Sequence, residues 1–331
     1  MKIAAYAGGL LGLALLTALF VHEGYATMLQ ALGLAGWALL WLVPYRMVYF
    51  LAYAIGWRML LRLADPQGRA SLPYLFWVST VREGIDRLLP VASVGGGVIG
   101  VRLVRLRGLA GTAVTASVIV EILLTLIVLY LFTALGLVLL LQLSGSGEAY
   151  HRVLLAFVLS LPAPVCTALL LRYGKVFERL QGFLRPMVGA GAMGADAAAL
   201  DREVRACLER RRTLLMVMLL QIAAWLSGAF EVWFALRLFG HPVGVGAAIA
   251  LEAMTQAVRH FAFVVPAGLG VQEAGLVLFG HALGIGPELA LAVSVAKRMR
   301  EVLCGVPPLL SWQWLEGRRL RALIGARSGE S

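Results

Sequence analysis

The residues best equipped for chemistry in this chain are charged side chains set into apolar text. Arg82, Glu83, Asp86 and Arg87 stand shortly before Pro90, and Arg102 and Arg105 follow the glycines after it. Farther on, Glu252, Arg259, His260 and Glu273 surround Pro266, with Lys297, Arg298, Arg300 and Glu301 downstream. Arginine offers a delocalised charge and forked donors that suit phosphate or carboxylate. The clusters Gly95 to Gly97 and Gly268 to Gly270 are expected to open helices whose unpaired N–H groups and positive dipole ends favour an anion. The apolar surroundings would accept hydrocarbon, so the combination points to an amphiphile with a polar head rather than a simple ion or sugar. Arg82, Arg259, Glu273 and Arg298 are the candidate substrate-binding residues, and Pro90, Gly95, Gly96, Pro266, Gly268 and Gly270 the candidate hinges. For the cluster before Pro90 a second reading stands beside the first. Glu83 with Arg87, and Arg82 with Asp86, are spaced i,i+4 and can neutralise each other as a structural network.

The elements that must position these residues are membrane helices. With 60% hydrophobic residues and repeated apolar runs near 20 residues long, the chain reads as an all-α polytopic membrane protein. Its formal charge of +11 falls mainly between the apolar runs. That distribution suits cytoplasmic loops facing anionic lipid and not a nucleic-acid-binding module. Cys166, Cys207 and Cys304 are odd in number and widely spaced, which excludes a disulfide framework or a CxxC site. The five histidines show no metal-ligand spacing, and no HExxH, GxSxG, Walker or Rossmann text occurs. The glycines of SVGGGVIG lack the lysine and the strand-to-helix setting of a phosphate loop. No enzyme activity, metal or cofactor is therefore expected.

Spans are predicted at Ile3 to Val21, within Met28 to Leu63 where Pro44 should impose a kink, and at Val114 to Leu143, Val153 to Leu171, Leu214 to Leu238 and Leu289 to Trp314. The segments His22 to Thr27, Ser144 to Tyr150 and Gly240 to Val243 lack Lys and Arg, whereas Arg58 to Arg69, Arg172 to Arg212 and Arg318 to Arg327 are rich in them. The positive-inside rule puts the second set, and both termini, in the cytoplasm. About six full crossings result, provided that each Pro/Gly segment enters and leaves on one side as a re-entrant helical hairpin. The segment 172–212 reads as a cytoplasmic insert, with an interfacial helix near Val176 to Leu184 ended by Pro186 and a flexible Gly/Ala joint from Gly189 to Ala199.

Pro90 and Pro266 are 176 residues apart, and the same offset pairs Gly108 with Gly284 and Ala116 with Ala292. An offset of 177 pairs Val81-Arg82 with Val258-Arg259. The order of elements also matches, which gives two membrane repeats, 1–143 and 144–320, followed by a tail at 321–331. Under the charge-derived topology the first hairpin is approached from the cytoplasm and the second from outside. The repeats are then inverted, an arrangement that builds a midplane site from broken helices.

The text LLPVASVGGGVIGVRLVRLRG, with VPAGLGVQEAGLVLFGHALG and the downstream AKRMRE, resembles the lysylphosphatidylglycerol synthase transmembrane, or flippase-like, family. More closely it resembles the hopanoid-biosynthesis-associated, HpnL-type branch. The resemblance implies a bacterial inner-membrane protein that moves a lipid, a hopanoid or an anionic phospholipid, between leaflets or toward the outer membrane. It leaves open a non-transporting assembly or regulatory subunit that works beside hopanoid-biosynthesis or export proteins. The family's Pro-Gly-x-Gly-x-x-Glu pattern falls on Pro266, Gly268, Gly270 and Glu273, and its later arginine on Arg298. Gly97 stands where branch members commonly carry an acidic residue, so a ligand carboxylate in the first hairpin stays an open question. Relatives that aminoacylate phosphatidylglycerol carry a cytosolic transferase domain; the text ends shortly after the last span, and synthase activity is not expected.

Overall fold

A computed structural model describes residues 33, 36–89, 95–144, 155, 157–158, 162–174, 197–262, 265 and 268–328. The predicted span Ile3 to Val21, the turn prolines Pro90 and Pro266, and the expected interfacial helix at Val176 to Leu184 lie outside them. Within them the fold is all helical. A 3-10 turn, Gly36–Trp41, leads into α1 (Leu42–Leu61), followed by α2 (Leu72–Leu88), α3 (Gly95–Arg105), α4 (Gly111–Ser144) and α5 (Pro162–Tyr173). After these come α6 (Ala197–Glu209), α7 (Arg211–Leu238), α8 (Val245–Phe261), α9 (Val271–Ala282) and α10 (Pro287–Ser328).

Among the described residues, three helical segments are long and apolar enough to cross a membrane: Gly36–Leu61, Gly111–Leu143 and Arg211–Leu238. All three match predicted spans. Pro44, expected from sequence to kink its helix, stands just after the change from the 3-10 turn to α1. It lies in the first turn of α1, after the N-cap Trp41, where backbone N–H groups have no intrahelical partner to lose. The α10 helix instead carries its prolines, Pro307 and Pro308, in its interior and continues past Trp314 to Ser328.

The Pro/Gly segments each separate two shorter helices that pack on one another, α2 with α3 and α8 with α9. The remaining contacts follow a pattern of exchange. The α1 helix lies against α7, α4 packs on α8, and α10 packs on α2. Thus the long helix that follows each broken pair covers the broken pair of the other half. Small residues permit these approaches. A Cβ on Gly84 would come within 3.0 Å of the Gly305 carbonyl oxygen, and one on Gly305 within 2.7 Å of Leu88 Cδ1. At the equivalent crossing, a Cβ on Gly136 would collide with that of Ala253. Between apolar helices in lipid, close backbone approach and polar pairs supply the packing energy that water-driven burial supplies elsewhere. The α6 helix buries Leu200, Val204 and Leu208 against Val120, Leu123 and Leu124 of α4.

Because Gly305 has no room for a side chain, Gly305→Val should separate α10 from α2 and lower stability by about 1–3 kcal/mol. Thermal unfolding of the purified protein in detergent measures this. A substitution at Gly317, where an added Cβ meets nothing within 4 Å, is the matched control and should leave the midpoint in place.

Candidate functional site

The broken helices bring arginines and carboxylates into the interior and pair them. On the first-half side, Arg82 Nη1 donates to Glu121 Oε2 of α4 at 2.9 Å, not to Asp86 as its i,i+4 spacing allowed. Glu83 takes two arginines, Arg87 one turn on at 3.0 Å and Arg46 from α1. Asp86 Oδ1 accepts the Gly96 N–H at 2.8 Å and so occupies the N-terminus of α3. The free helix end anticipated from the glycines is therefore already filled by a carboxylate of the chain itself, as the dipole favours.

The second half repeats the motif with different parts. The φ angles of Gly268 and Gly270 are +60° and +74°, a region that side chains with a Cβ disfavour. Gly270 precedes α9, whose first turn holds Glu273. Glu273 Oε1 accepts from Ser294 at 2.7 Å and from Arg298 Nε at 3.2 Å. Arg298 also donates to the Gly268 carbonyl oxygen at 3.0 Å, tying α10 to the turn before α9. Arg259 donates to Glu301 at 3.0 Å and to Gln272, and Glu301 further receives Arg298 at 3.1 Å. Lys297 pairs with Glu252, and Arg300 with Glu231 at 3.1 Å.

In both halves a glycine makes way for the arginine of the preceding helix. A Cβ on Gly100 would lie 2.6 Å from Arg82 Cδ, and one on Gly268 would lie 3.0 Å from Arg259 Cγ. Gly100 and Gly268 thus serve a purpose that the sequence concealed. They let a guanidinium stem lie against the backbone of the returning helix.

A cavity of about 480 Å³ opens between α1, α2, α3, α4, α7 and α8, within the range of small-molecule sites. Its polar side holds Arg82, Glu83, Asp86, Arg87, Arg259 and Gln256, while Tyr49, Tyr53, Phe132 and Trp225 form an aromatic wall. Trp225 donates to the Tyr53 hydroxyl at 2.9 Å and stacks beside His260, with ring centroids 5.5 Å apart. Arg46 lies over Tyr49 at 3.8 Å and Arg82 over Trp57 at 4.6 Å, so both guanidinium groups also rest on rings. Val98 of α3 and Ile122 of α4 line the cavity and are 62% and 55% exposed. The cavity therefore meets the outer surface between α3 and α4 across an apolar rim.

Of the four candidate binding residues, Arg82 and Arg259 line this cavity. Glu273 is 1% exposed and stands behind it in the network with Arg298. Among the hinges, Gly268 lines the cavity, Gly95 and Gly96 begin α3, and Pro90 and Pro266 lie outside the described residues. Gly97 faces the cavity too, and a Cβ there would find only Val118 Cγ1, at 3.6 Å. Sequence reasoning missed Arg46, which sits in a span read as apolar; a charge within such a span was the available signal. It also missed Tyr49, Tyr53, Trp225 and Gln256, which no spacing distinguishes from packing residues.

Three apolar spans and a charged cavity inside the helical bundle define a polytopic membrane protein with an interior polar site. The model of the lysylphosphatidylglycerol synthase TM region matches residues 4–306, and the chain belongs to that family. The family assignment gives the protein a membrane lipid-related role. Neither a curated protein nor a solved structure matches the chain.

Glu301 is the acceptor shared by Arg259 and Arg298, with its side chain only 4% exposed. Removing its charge strands buried arginines, so Glu301→Gln should destabilise by about 3–5 kcal/mol. Glu316→Gln, which breaks the exposed pair with Arg102, should change stability by less than about 1 kcal/mol. The difference in unfolding midpoint between the two variants checks the claim.

Proposed function

We propose that the protein is a lipid transporter of a bacterial inner membrane, a flippase or scramblase that handles hopanoid or another amphiphilic lipid without catalysing a reaction. The observation that carries this reading is the cavity that joins a charged, aromatic interior to an apolar opening between α3 and α4. A lipid can place its head group inside while its chains remain in the bilayer. Arg82 and Arg259 are proposed to face the head group. Glu273 and Arg298 are proposed to act with Arg259 by holding the Gly268 turn that borders the cavity.

In this reading α2/α3 and α8/α9 are re-entrant hairpins of inverted repeats, with both termini cytoplasmic. The exchange of packing partners between halves supports it, because an inverted repeat generates that pattern. The extent of ion pairing favours a second reading, in which the charges only hold together a non-transporting assembly or regulatory subunit of hopanoid or glycolipid biosynthesis.

Reconstitution into liposomes separates the two. The wild-type protein should speed the appearance of labelled lipid in the opposite leaflet, read by quenching of outer-leaflet label. Val98→Trp, which obstructs the opening while leaving every ion pair intact, should slow that movement at least tenfold by steric exclusion. Arg82→Gln, Glu273→Gln and Arg298→Gln should slow it comparably, at the level expected for loss of a charged hydrogen bond. Wild-type protein that moves none of hopanoids, phosphatidylglycerol or glycolipids would establish the subunit reading.

A further inference from the structure

The last helix keeps two sets of partners. Its first part is tied by ion pairs to the second half of the chain: Lys297 to Glu252 and Glu301 to Arg259 on α8, Arg298 to Glu273 on α9, and Arg300 to Glu231 on α7. Beyond Cys304 its partners come from the first half. Gly305 lies against Gly84, and Leu309 joins the core of Leu75, Val78, Val81 and Ile85. Ser311 accepts from Trp77 at 2.8 Å, and Glu316 accepts from Arg102 of α3 at 2.9 Å.

The change of partners falls on the turn that contains Pro307 and Pro308, both inside the helix. Proline has no N–H, so the carbonyls of Leu303 and Cys304 lack the donor four residues on that an α-helix supplies, and the rings crowd those same carbonyls. Gly305, in the same turn, removes further stiffness. Beside it a space of about 10 Å³, about enough for one water, lies between Glu301 and Gly305 of α10 and Glu83 and Arg87 of α2. The other long helix that links the halves is α4, with Glu121 paired to Arg82 and Gly136 set against Ala253. It has no proline along its length. Of these two links, one is an uninterrupted rod and the other is interrupted where its partners change.

We infer that Pro307 and Pro308 form a hinge, at which the end of α10 carried by α2 and α3 turns relative to its ion-paired first part as the two halves of the protein move against each other. The hinge rests on the transport reading for its purpose, and distances measure the motion separately from lipid movement.

Pairs of nitroxide-bearing non-natural amino acids are placed in the full chain in liposomes, and their separations are read by double electron–electron resonance. Gln313 and Leu278 lie on opposite sides of the hinge, Gln313 and Leu106 on the same side, and all three residues are exposed. In the wild-type background the Gln313–Leu278 distribution should be at least twice as wide as the Gln313–Leu106 distribution. The double variant Pro307→Ala/Pro308→Ala restores both N–H groups and should narrow the first distribution to the width of the second. It should also slow lipid movement about tenfold, the equivalent of one or two net hydrogen bonds that must now break. Its unfolding midpoint should not fall, because alanine is the better helix former. Equal widths in the wild-type background overturn the inference, as does a first distribution that the variant leaves broad, or narrowing that leaves measurable lipid movement at its wild-type rate. Narrowing in a protein that moves no lipid leaves the hinge standing and removes the transport reading. Equal widths in a wild-type protein that moves lipid do the reverse.

Discussion

A charge in an apolar interior must be answered by an opposite charge, and that requirement organises this molecule. The interior helices carry Arg46, Arg82, Arg87, Arg259, Lys297, Arg298 and Arg300 against Glu83, Asp86, Glu121, Glu231, Glu252, Glu273 and Glu301, seven of each. Apolar packing alone specifies little between helices in lipid, because one greasy face resembles another. The ion pairs specify neighbours. Arg46 with Glu83 places α1 beside α2, Arg82 with Glu121 places α2 beside α4, and Arg300 with Glu231 places α7 beside α10. Lys297 with Glu252 and Arg298 with Glu273 fix α10 against α8 and α9.

The same requirement gives the glycine-rich turns their meaning. A helix N-terminus inside the bundle presents N–H groups and a partial positive charge that also need an answer. Asp86 answers both for α3 from the helix before, and Glu273 sets a negative charge in the first turn of α9. Gly97 in the first half stands where Glu273 stands in the second, at the 176-residue offset, so the two halves solve one electrostatic problem with carboxylates from different helices. With the Gly96 N–H held by Asp86, the start of α3 is not an open cradle for an anion.

Much of this could be read from the chain before folding. The charged clusters, the Pro/Gly breaks and the α4 and α7 spans stand out because a charge or a proline in apolar text has few explanations. Partner choice did not stand out. The i,i+4 rule offered Asp86 to Arg82, yet the partner is Glu121, 39 residues away on another helix, and local spacing carries no information about such a contact. Pro44 shows the same limit from another direction. Whether a proline kinks or starts a helix depends on where the first turn begins, and apolar text on both sides hides that boundary. Trp225 and Gln256 acquire significance only when α7 and α8 are seen to face one cavity.

The distribution of strong and weak contacts bears on the proposed transport. The buried ion pairs named above each lie within one half of the chain, tying α1, α2 and α4 together and, separately, α7, α8, α9 and α10. Across the halves the one ion pair named above is the exposed Arg102–Glu316, and the buried contacts are of another kind: Gly84 against Gly305, Gly136 against Ala253, and Gly56 against Val217. Neutral hydrogen bonds join them, from Trp225 to Tyr53 and from Trp77 to Ser311. An ion pair inside a low-dielectric interior resists separation far more than a glycine contact resists sliding. Two bodies held internally by buried charges can shift against each other across such a seam without separating a buried ion pair. The proposed transport, if by rocking of two repeats against each other, would require such a seam.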